Sequence, residues 1–399
     1  MIVLQVIFWV CFVALAHTYI IYPLILKLFA SPLRPSLQGE GLGVRPAVSI
    51  LIPAYNEEKI IKQKLESIFA SDYPKEKMDV IVGSDASTDK TNEIVKSFPE
   101  VYLVNFRERS GKPKIMNMLA AIAKNEILIL TDANVIFDKN TIHELTKHFS
   151  NPEIALVDSN MMNINQQGKG ISKAESTYIR GEVGIKNNEG KVFGMMMGPF
   201  GGCYAVRKSF YAPVPENFLV DDFYINMKVL EKGGKAISEI NAKVYEEVPT
   251  DWKVEFKRKI RIATGSFQNL KAFFPLLFRF NTLSFCFLSH KVLRWFGPFF
   301  MIGLFASTLY LSFIIYVQEA LLEVLFGPPM ELHLIQIFLF AQTLLILFFI
   351  LDILLKLIGI NFFLTRLVTH FFSTNLALLI GLFKFLAGVR SSIWQPTKR

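Results

Sequence analysis

Apolar residues crowd both ends of the chain and alternate with polar ones in between. Residues 3–29 form one apolar run with no charge before Lys27. At about 1.5 Å per residue such a run is long enough to cross a hydrocarbon core of about 30 Å. Three more apolar segments come late: residues 287–317, with Lys291 and Arg294 near the start, residues 332–355, and residues 367–389, with Lys384 near the end. From about 45 to 260 the pattern changes. Residues 48–53, 78–83, 101–106, 126–131 and 154–158 read as strands, and residues 57–69, 88–97, 113–124 and 140–149 read as helices. This alternation predicts βαβ units and an α/β domain with a doubly wound, mostly parallel sheet covered on both faces.

The expected organisation is a membrane helix over residues 1–30, a Pro- and Gly-rich linker over 31–46, and a globular domain over 47–250. Interfacial amphipathic helices follow over 251–284, then a membrane region of two to three spanning helices over 285–390 and a tail over 391–399. The 399 residues are 52% hydrophobic with 37 Phe, too apolar for an ordinary soluble protein. Ala14-Leu15-Ala16 resembles a signal cleavage site, but no basic segment precedes it and the apolar run continues beyond it. Residues 318–331 hold Glu319, Glu323 and Glu331 and no Lys or Arg, and read as an outside loop. Lys271, Arg279, Lys291, Arg294, Lys356 and Arg366 read as cytoplasmic. The globular domain is thus expected in the cytoplasm of a multi-pass plasma-membrane protein. One conflict remains: three C-terminal spans put Arg390, Lys398 and Arg399 outside, so either the rule fails or one segment is re-entrant or interfacial.

The net charge of +9 suits membrane lipids with anionic headgroups and anionic substrates. No basic patch interleaved with aromatics points to nucleic acid. Cys11, Cys203 and Cys286 lack metal spacing and fit a reducing compartment.

Chemistry concentrates at strand tips, where open α/β sheets bind ligands. The first strand runs into Tyr55-Asn56-Glu57, the second into Asp85, and the fourth into Asp132-Ala133-Asn134. If strand alternation continues, positions 132 and 134 point the same way, and two oxygens on one side suit a hard cation that also holds phosphate. Gly111-Lys112 precedes a helix, as an anion site or a solvated basic turn. Gly201-Gly202 marks backbone that approaches something closely, or a bulge. Asp221-Asp222 opens a helix; Asp is a common cap there, but two adjacent carboxylates repel, and a raised pKa in one suits a general base. Lys257, Arg258, Lys259 and Arg261 form a basic helix for a membrane surface or a diphosphate clamp.

In this order, these residues resemble the inverting family 2 glycosyltransferases, which include the cellulose, chitin, hyaluronan and poly-N-acetylglucosamine synthases. The resemblance covers about residues 45–270. It implies a GT-A fold flanked by transmembrane and interfacial helices, a nucleotide-sugar donor that is UDP-linked by expectation, a glycan or lipid-linked acceptor, and Mg2+ or Mn2+. By resemblance, Tyr55, Glu57 and Asp85 hold the nucleoside and Lys112 lies near the nucleotide. Asp132 matches the first Asp of the DxD motif, and with Asn134 is the metal site. Gly201 and Gly202 match the acceptor-side loop, and Val220-Asp221-Asp222 matches Thr-Glu-Asp, with Asp222 as base. Arg258 and Arg261 fall in the Gln-x-x-Arg-Trp region. Asn134 stands where the family has Asp, Arg258 where it has Gln and Ile262 where it has Trp. In processive synthases the family's Gln and Trp at the last two positions help hold a growing polymer, so their loss weakens the case for a long polymer. The expected role is in polysaccharide or glycoconjugate synthesis, with a single-sugar transferase to a polyprenyl- or lipid-linked acceptor as the alternative. A non-catalytic membrane scaffold is the reading from a different class, and a transporter is disfavoured because the segments are few and the 332–355 run holds only Asp352 as a buried ionisable candidate.

Overall fold

The computed structural model describes residues 2–30, 45–164, 171–247, 252–326, 333–360, 362–389 and 391–393. The linker expectation lies almost wholly outside the described residues, as do Arg390, Lys398 and Arg399. The chain opens with α1 (Ile2–Ala16), a short π-helical stretch and α2 (Tyr22–Phe29). The central domain then runs β1 (Val48–Ala54), α3 (Ile61–Phe69), β2 (Met78–Ser84), α4 (Thr91–Lys96), β3 (Val101–Asn105), α5 (Lys112–Ile122), β4 (Ile127–Thr131), β5 (Ile136–Phe137), α6 (Thr141–Thr146) and β6 (Ile154–Ile164). It continues with α7 (Ile171–Phe193), β7 (Cys203–Arg207), α8 (Asp221–Glu231), β8 (Lys235–Glu247) and α9 (Trp252–Phe273). After α9 come α10 (Thr282–Cys286), α11 (Leu293–Trp295), α12 (Gly297–Phe326), α13 (His333–Leu357) and α14 (Phe363–Leu386).

Among the described residues the strands form one sheet in the order β3-β2-β1-β4-β7-β6-β8-β5. β3, β2, β1 and β4 are parallel, so their carboxyl ends share one edge. β7 enters antiparallel between β4 and β6. Both faces are buried: β1 has no exposed residue, as a central parallel strand requires. One face packs Leu51, Ile81 and Leu130 under α5, α8 and α9, and the other packs Ile50, Ile52 and Val82 under α3, α4 and α6.

Several expected helices are shorter. α3 starts at Ile61, not Glu57, because the Glu57 amide donates to Thr91 Oγ1 (2.8 Å) and the Glu58 amide to Asp89 Oδ2 (3.0 Å). α4 likewise starts at Thr91, since Thr88 N is held by Asn56 Oδ1 (2.8 Å) and Lys90 N by Glu58 Oε2 (3.1 Å). These exchanges fasten the tips of β1 and β2 together. The expected outside loop at 318–331 is corrected in part: α12 stays helical to Phe326, and residues 327–331 lie outside the described residues. The segment before α12 lies outside the candidate span, which begins at Gly297. His290, Lys291 and Arg294 bind Glu182 of α7, and His290 Nδ1 also meets Glu189 (2.8 Å), which accepts from the Tyr22 hydroxyl (2.8 Å). This buried cluster fastens the start of α2 and the 287–295 segment to the domain.

Among the described residues, four helical stretches are long and apolar enough to cross a membrane: Ile2–Phe29, Gly297–Val317, Leu334–Leu357 and Phe363–Leu386. The last differs from the others. α14 carries Thr369, His370, Ser373 and Asn375 and lies closely along α9, where a Cβ at Gly381 would sit 2.5 Å from Ala263 Cβ. Beyond α14 the chain returns to the domain: Asn217 Nδ2 donates to Val389 O (3.4 Å) and Ser392 Oγ to Glu216 O (2.5 Å).

Candidate active site

The parallel strands deliver Tyr55, Asp85 and Asp132 to one edge of the sheet. Two non-glycine residues there, Asn56 and Ala86, have positive φ (53° and 56°), a conformation that costs free energy and clusters at functional sites. Asp85 is fully buried and organises the loop before α5. Its carboxylate accepts from Ser110 N (2.6 Å), Gly111 N (3.1 Å) and Arg109 Nε (3.0 Å). The Arg109 guanidinium lies over the Tyr55 ring, 3.3 Å from its centroid. Glu57 contributes its backbone, with its carbonyl accepting from Ile60 and Ile61.

That loop launches Lys112 at the start of α5. Lys112 Nζ is 2.8 Å from Asp132 Oδ1 and 3.6 Å from Asp221 Oδ2. Burial lowers the lysine pKa, but Asp132, Asp221 and Asp222 outweigh burial and hold it above its ordinary value, so the ammonium is charged. Asp222 shows the opposite effect. Burial, then repulsion from Asp221, pushes its carboxyl up to about 7, with Lys112 offsetting part. The Gly201 backbone, at φ 81°, lies against this side chain: a Cβ there would sit 2.6 Å from Asp222 Oδ2. At Gly202 a Cβ would sit 2.2 Å from Met161 Cε. The structure thus gathers Lys112, Asp132 and the Asp221–Asp222 pair, with both glycines beside them.

Strand alternation does not carry through Asp132 and Asn134. β4 ends at Thr131, and residues 132–135 form a turn closed by Val135 N and Asp132 O (3.3 Å). A turn has no period of two, so the side chains meet different partners. Asp132 faces Lys112, whereas Asn134 Nδ2 donates to Glu246 Oε1 (2.9 Å). Glu246 also meets Arg258 at 4.0 Å, and Arg258 meets Glu255 at 3.6 Å. Arg261 Nη1 donates to Leu219 O (3.3 Å). Gln268 bonds Leu219 N (3.0 Å) and Asn217 O (2.9 Å), and Asn269 Nδ2 bonds Val220 O (3.0 Å). One side of α9 therefore braces the segment that leads into Asp221.

Sequence reasoning missed Arg109, Glu246 and Asn269. Arg109 carried a faint signal in its closeness to Gly111-Lys112; the other two are remote in sequence and carried none.

Among the described residues no three His, Cys, Asp or Glu side chains gather as a metal cluster. Asp132 meets Lys112 through Oδ1, and Asn134 bonds Glu246 through Nδ2. One carboxylate and one amide oxygen fit Mg2+ or Mn2+ held jointly with a substrate's phosphates and water, and do not make a closed all-protein site.

Residues 49–212 match the model of the family described as Glycosyl transferase family 2. The probable glycosyltransferase YdaM of Bacillus subtilis is 26% identical over 242 residues, covering 57% of each chain. The beta-monoglucosyldiacylglycerol synthase of Synechocystis is 23% identical over 249 residues, covering 59% of this chain and 51% of that one. The chain thus spans little more than half the length of these curated relatives. Among solved structures, mannosyltransferase PcManGT of Pyrobaculum calidifontis, in complex with GDP-Man and Mn2+, superposes with a TM-score of 0.71 at 20% identity over 96% of this chain and 99% of that one. Residues 49–212 thus match glycosyltransferase family 2, and the chain shares the fold of that solved glycosyltransferase.

Proposed function

We propose that the chain is an inverting glycosyltransferase that moves a sugar from a nucleotide-diphosphate sugar to the hydroxyl of a glycan or lipid-linked acceptor at a membrane. The observation that carries this reading is the Lys112–Asp132–Asp221 cluster at the sheet's carboxyl edge, with Asp222 beside it under the Gly201 backbone. Asp222 takes the acceptor's proton. The freed oxygen attacks the anomeric carbon from the face opposite the diphosphate, whose bond to that carbon breaks, and configuration inverts. Lys112 offsets charge on the leaving diphosphate, with Arg258 and Arg261 at its far side. Asp132 and Asn134 would hold a divalent cation, which when bound neutralises the diphosphate. Tyr55, Glu57 and Asp85 with its loop frame the nucleoside, and Gly201-Gly202 the acceptor.

Arg258 is engaged with Glu246 and Glu255, and Ile262 is exposed where the family has Trp. Both favour addition of one or a few sugars over processive synthesis. A panel of UDP- and GDP-sugars, with and without Mg2+ or Mn2+ and with lipid-linked acceptors, tests the reading by nucleotide release and product size. Metal-dependent release from one donor class and a short product are expected. Release from none would sink the enzyme reading, and a long polymer would sink the short-product one.

The membrane reading places α1–α2, α12 and α13 across the bilayer and α14 along its cytoplasmic face. Two facts support it: the polar residues of α14, and the return of Val389 and Ser392 to the catalytic domain. The basic tail then stays inside, which removes the conflict with the charge rule. Ser391 is exposed. In intact cells, Ser391→Cys should resist a membrane-impermeant maleimide and react in inverted vesicles. Labelling of intact cells would place α14 across the membrane.

A further inference from the structure

Lys64 is a lysine with no solvent exposure, on the buried side of α3 among Ile61, Leu65 and Ile68. Its Nζ is surrounded by two hydrogen-bond acceptors and one aromatic ring. Nζ donates to Thr131 Oγ1 (2.8 Å) and Val135 O (2.5 Å), and it lies 3.6 Å from the centroid of the Phe137 ring. Among the described residues, no carboxylate lies within ion-pair distance of it. Burial pulls its pKa down to about 7, with Cys203 and Asp132 offsetting part. A buried ammonium held only by neutral groups is costly, and an apolar side chain of similar length would fill the space without that cost. Packing therefore does not account for it.

Its two oxygen partners lie at either end of the turn that carries Asp132 and Asn134. Thr131 Oγ1, which accepts from Lys64, donates onward to Gly202 O (3.0 Å), and the same carbonyl accepts from Asp132 N (2.9 Å). Lys64 thus clamps the turn from below and fixes Thr131 as the link to the glycine loop. We infer that Lys64 is a positioning residue that holds the 131–135 turn in the shape that receives the nucleotide diphosphate and its cation. The inference rests on the reading of Asp132 as the diphosphate site. Lys64 touches no substrate; it acts through Thr131 and the Val135 carbonyl.

The test compares wild type, Lys64→Met, Thr131→Val and the double variant in the full-length detergent-solubilised protein. It measures the Kd of UDP and GDP with Mn2+ by calorimetry, together with Tm. With the nucleotide that wild type binds, each single variant should weaken binding about tenfold, the scale of losing a hydrogen bond to a charged group. The double variant should be no weaker than about twice the worse single one, because both break the same link. Binding within about twofold of wild type in a folded Lys64→Met protein overturns the inference, even if Tm falls, since a purely structural lysine would behave that way. If Lys64→Met does not fold, Thr131→Val decides alone: unchanged binding overturns the inference and weakened binding sustains it. A wild type that binds neither nucleotide overturns the diphosphate-site reading and the inference with it, whereas a wild type that binds beside variants that bind equally well overturns the inference alone.

Discussion

Asp222→Asn should lower kcat by roughly 100- to 10,000-fold, the range for loss of a positioned general base, while the Kd for the nucleotide stays near that of wild type. Asparagine keeps the shape of the side chain and loses only its capacity to take a proton. Burial and the neighbouring Asp221 hold the Asp222 carboxyl up near 7. The base is active when ionised, so kcat should rise with pH through about 7 and level off above it. At pH 6 it should stand at about a tenth of the plateau. Removing the second cause shifts the profile in a defined direction: Asp221→Asn relieves the repulsion, so the rising limb should move to lower pH. In Asp222→Asn the limb should vanish with the activity. Full turnover by this variant, or a wild-type rate flat from pH 5 to 8, would remove Asp222 from the role of base.

The sheet was legible because each strand carries its own signal. A run such as Val48–Ala54 is apolar at nearly every position because both of its faces are covered, and that is a local property of the sequence. The helix from Asp221 was legible for the same reason: paired acids precede an apolar periodicity. α7 was not legible. It contains Gly181, Gly184 and Gly190 and many charges, and it is held in part by Glu182 and Glu189 meeting His290, Lys291 and Arg294 about a hundred residues away. Pairing at that distance leaves no periodic trace.

The site divides in the same way. Asp85, Lys112, Asp132 and Asp222 stand out in sequence because each carries a charge at an element boundary. Their geometry does not, since it depends on a turn where a strand was expected and on partners from β8 and α9. Asn134 shows this: its place two residues after Asp132 is readable in sequence, whereas the partner its amide takes in the fold, Glu246 with Arg258 behind, is not. Lys64 shows it more sharply. Its sequence neighbours give an ordinary amphipathic helix with a lysine on it, and only the packing of α3 against the 131–135 turn turns that lysine inward.

Gly201→Ala tests whether that geometry controls the chemistry. The residue is glycine for two separate reasons. At φ 81° an alanine is disfavoured by about 1–2 kcal/mol, and its Cβ would lie 2.6 Å from Asp222 Oδ2 and 3.1 Å from Asp222 Cγ. Real Cβ contacts are not that short, so either the loop retreats or the carboxylate turns away. Both displace the base from the acceptor hydroxyl by a substantial part of an ångström or more, and a misplacement of about 1 Å costs roughly 100-fold in rate. The loss should fall on kcat. Nucleotide binding should be spared, because Lys112 and Asp132 are outside the contact. Gly181 sits inside α7, where an added Cβ would meet nothing within 4 Å, and it supplies the control. Gly181→Ala should leave kcat unchanged and keep or raise stability, since alanine is the better helix former. If Gly201→Ala turns over like wild type, the glycine loop does not set the position of Asp222, and the base must be held by α8 and its brace from α9 alone. If it loses nucleotide binding as well as rate, the loop acts on the donor side through Gly202 and Thr131, and the acceptor assignment falls.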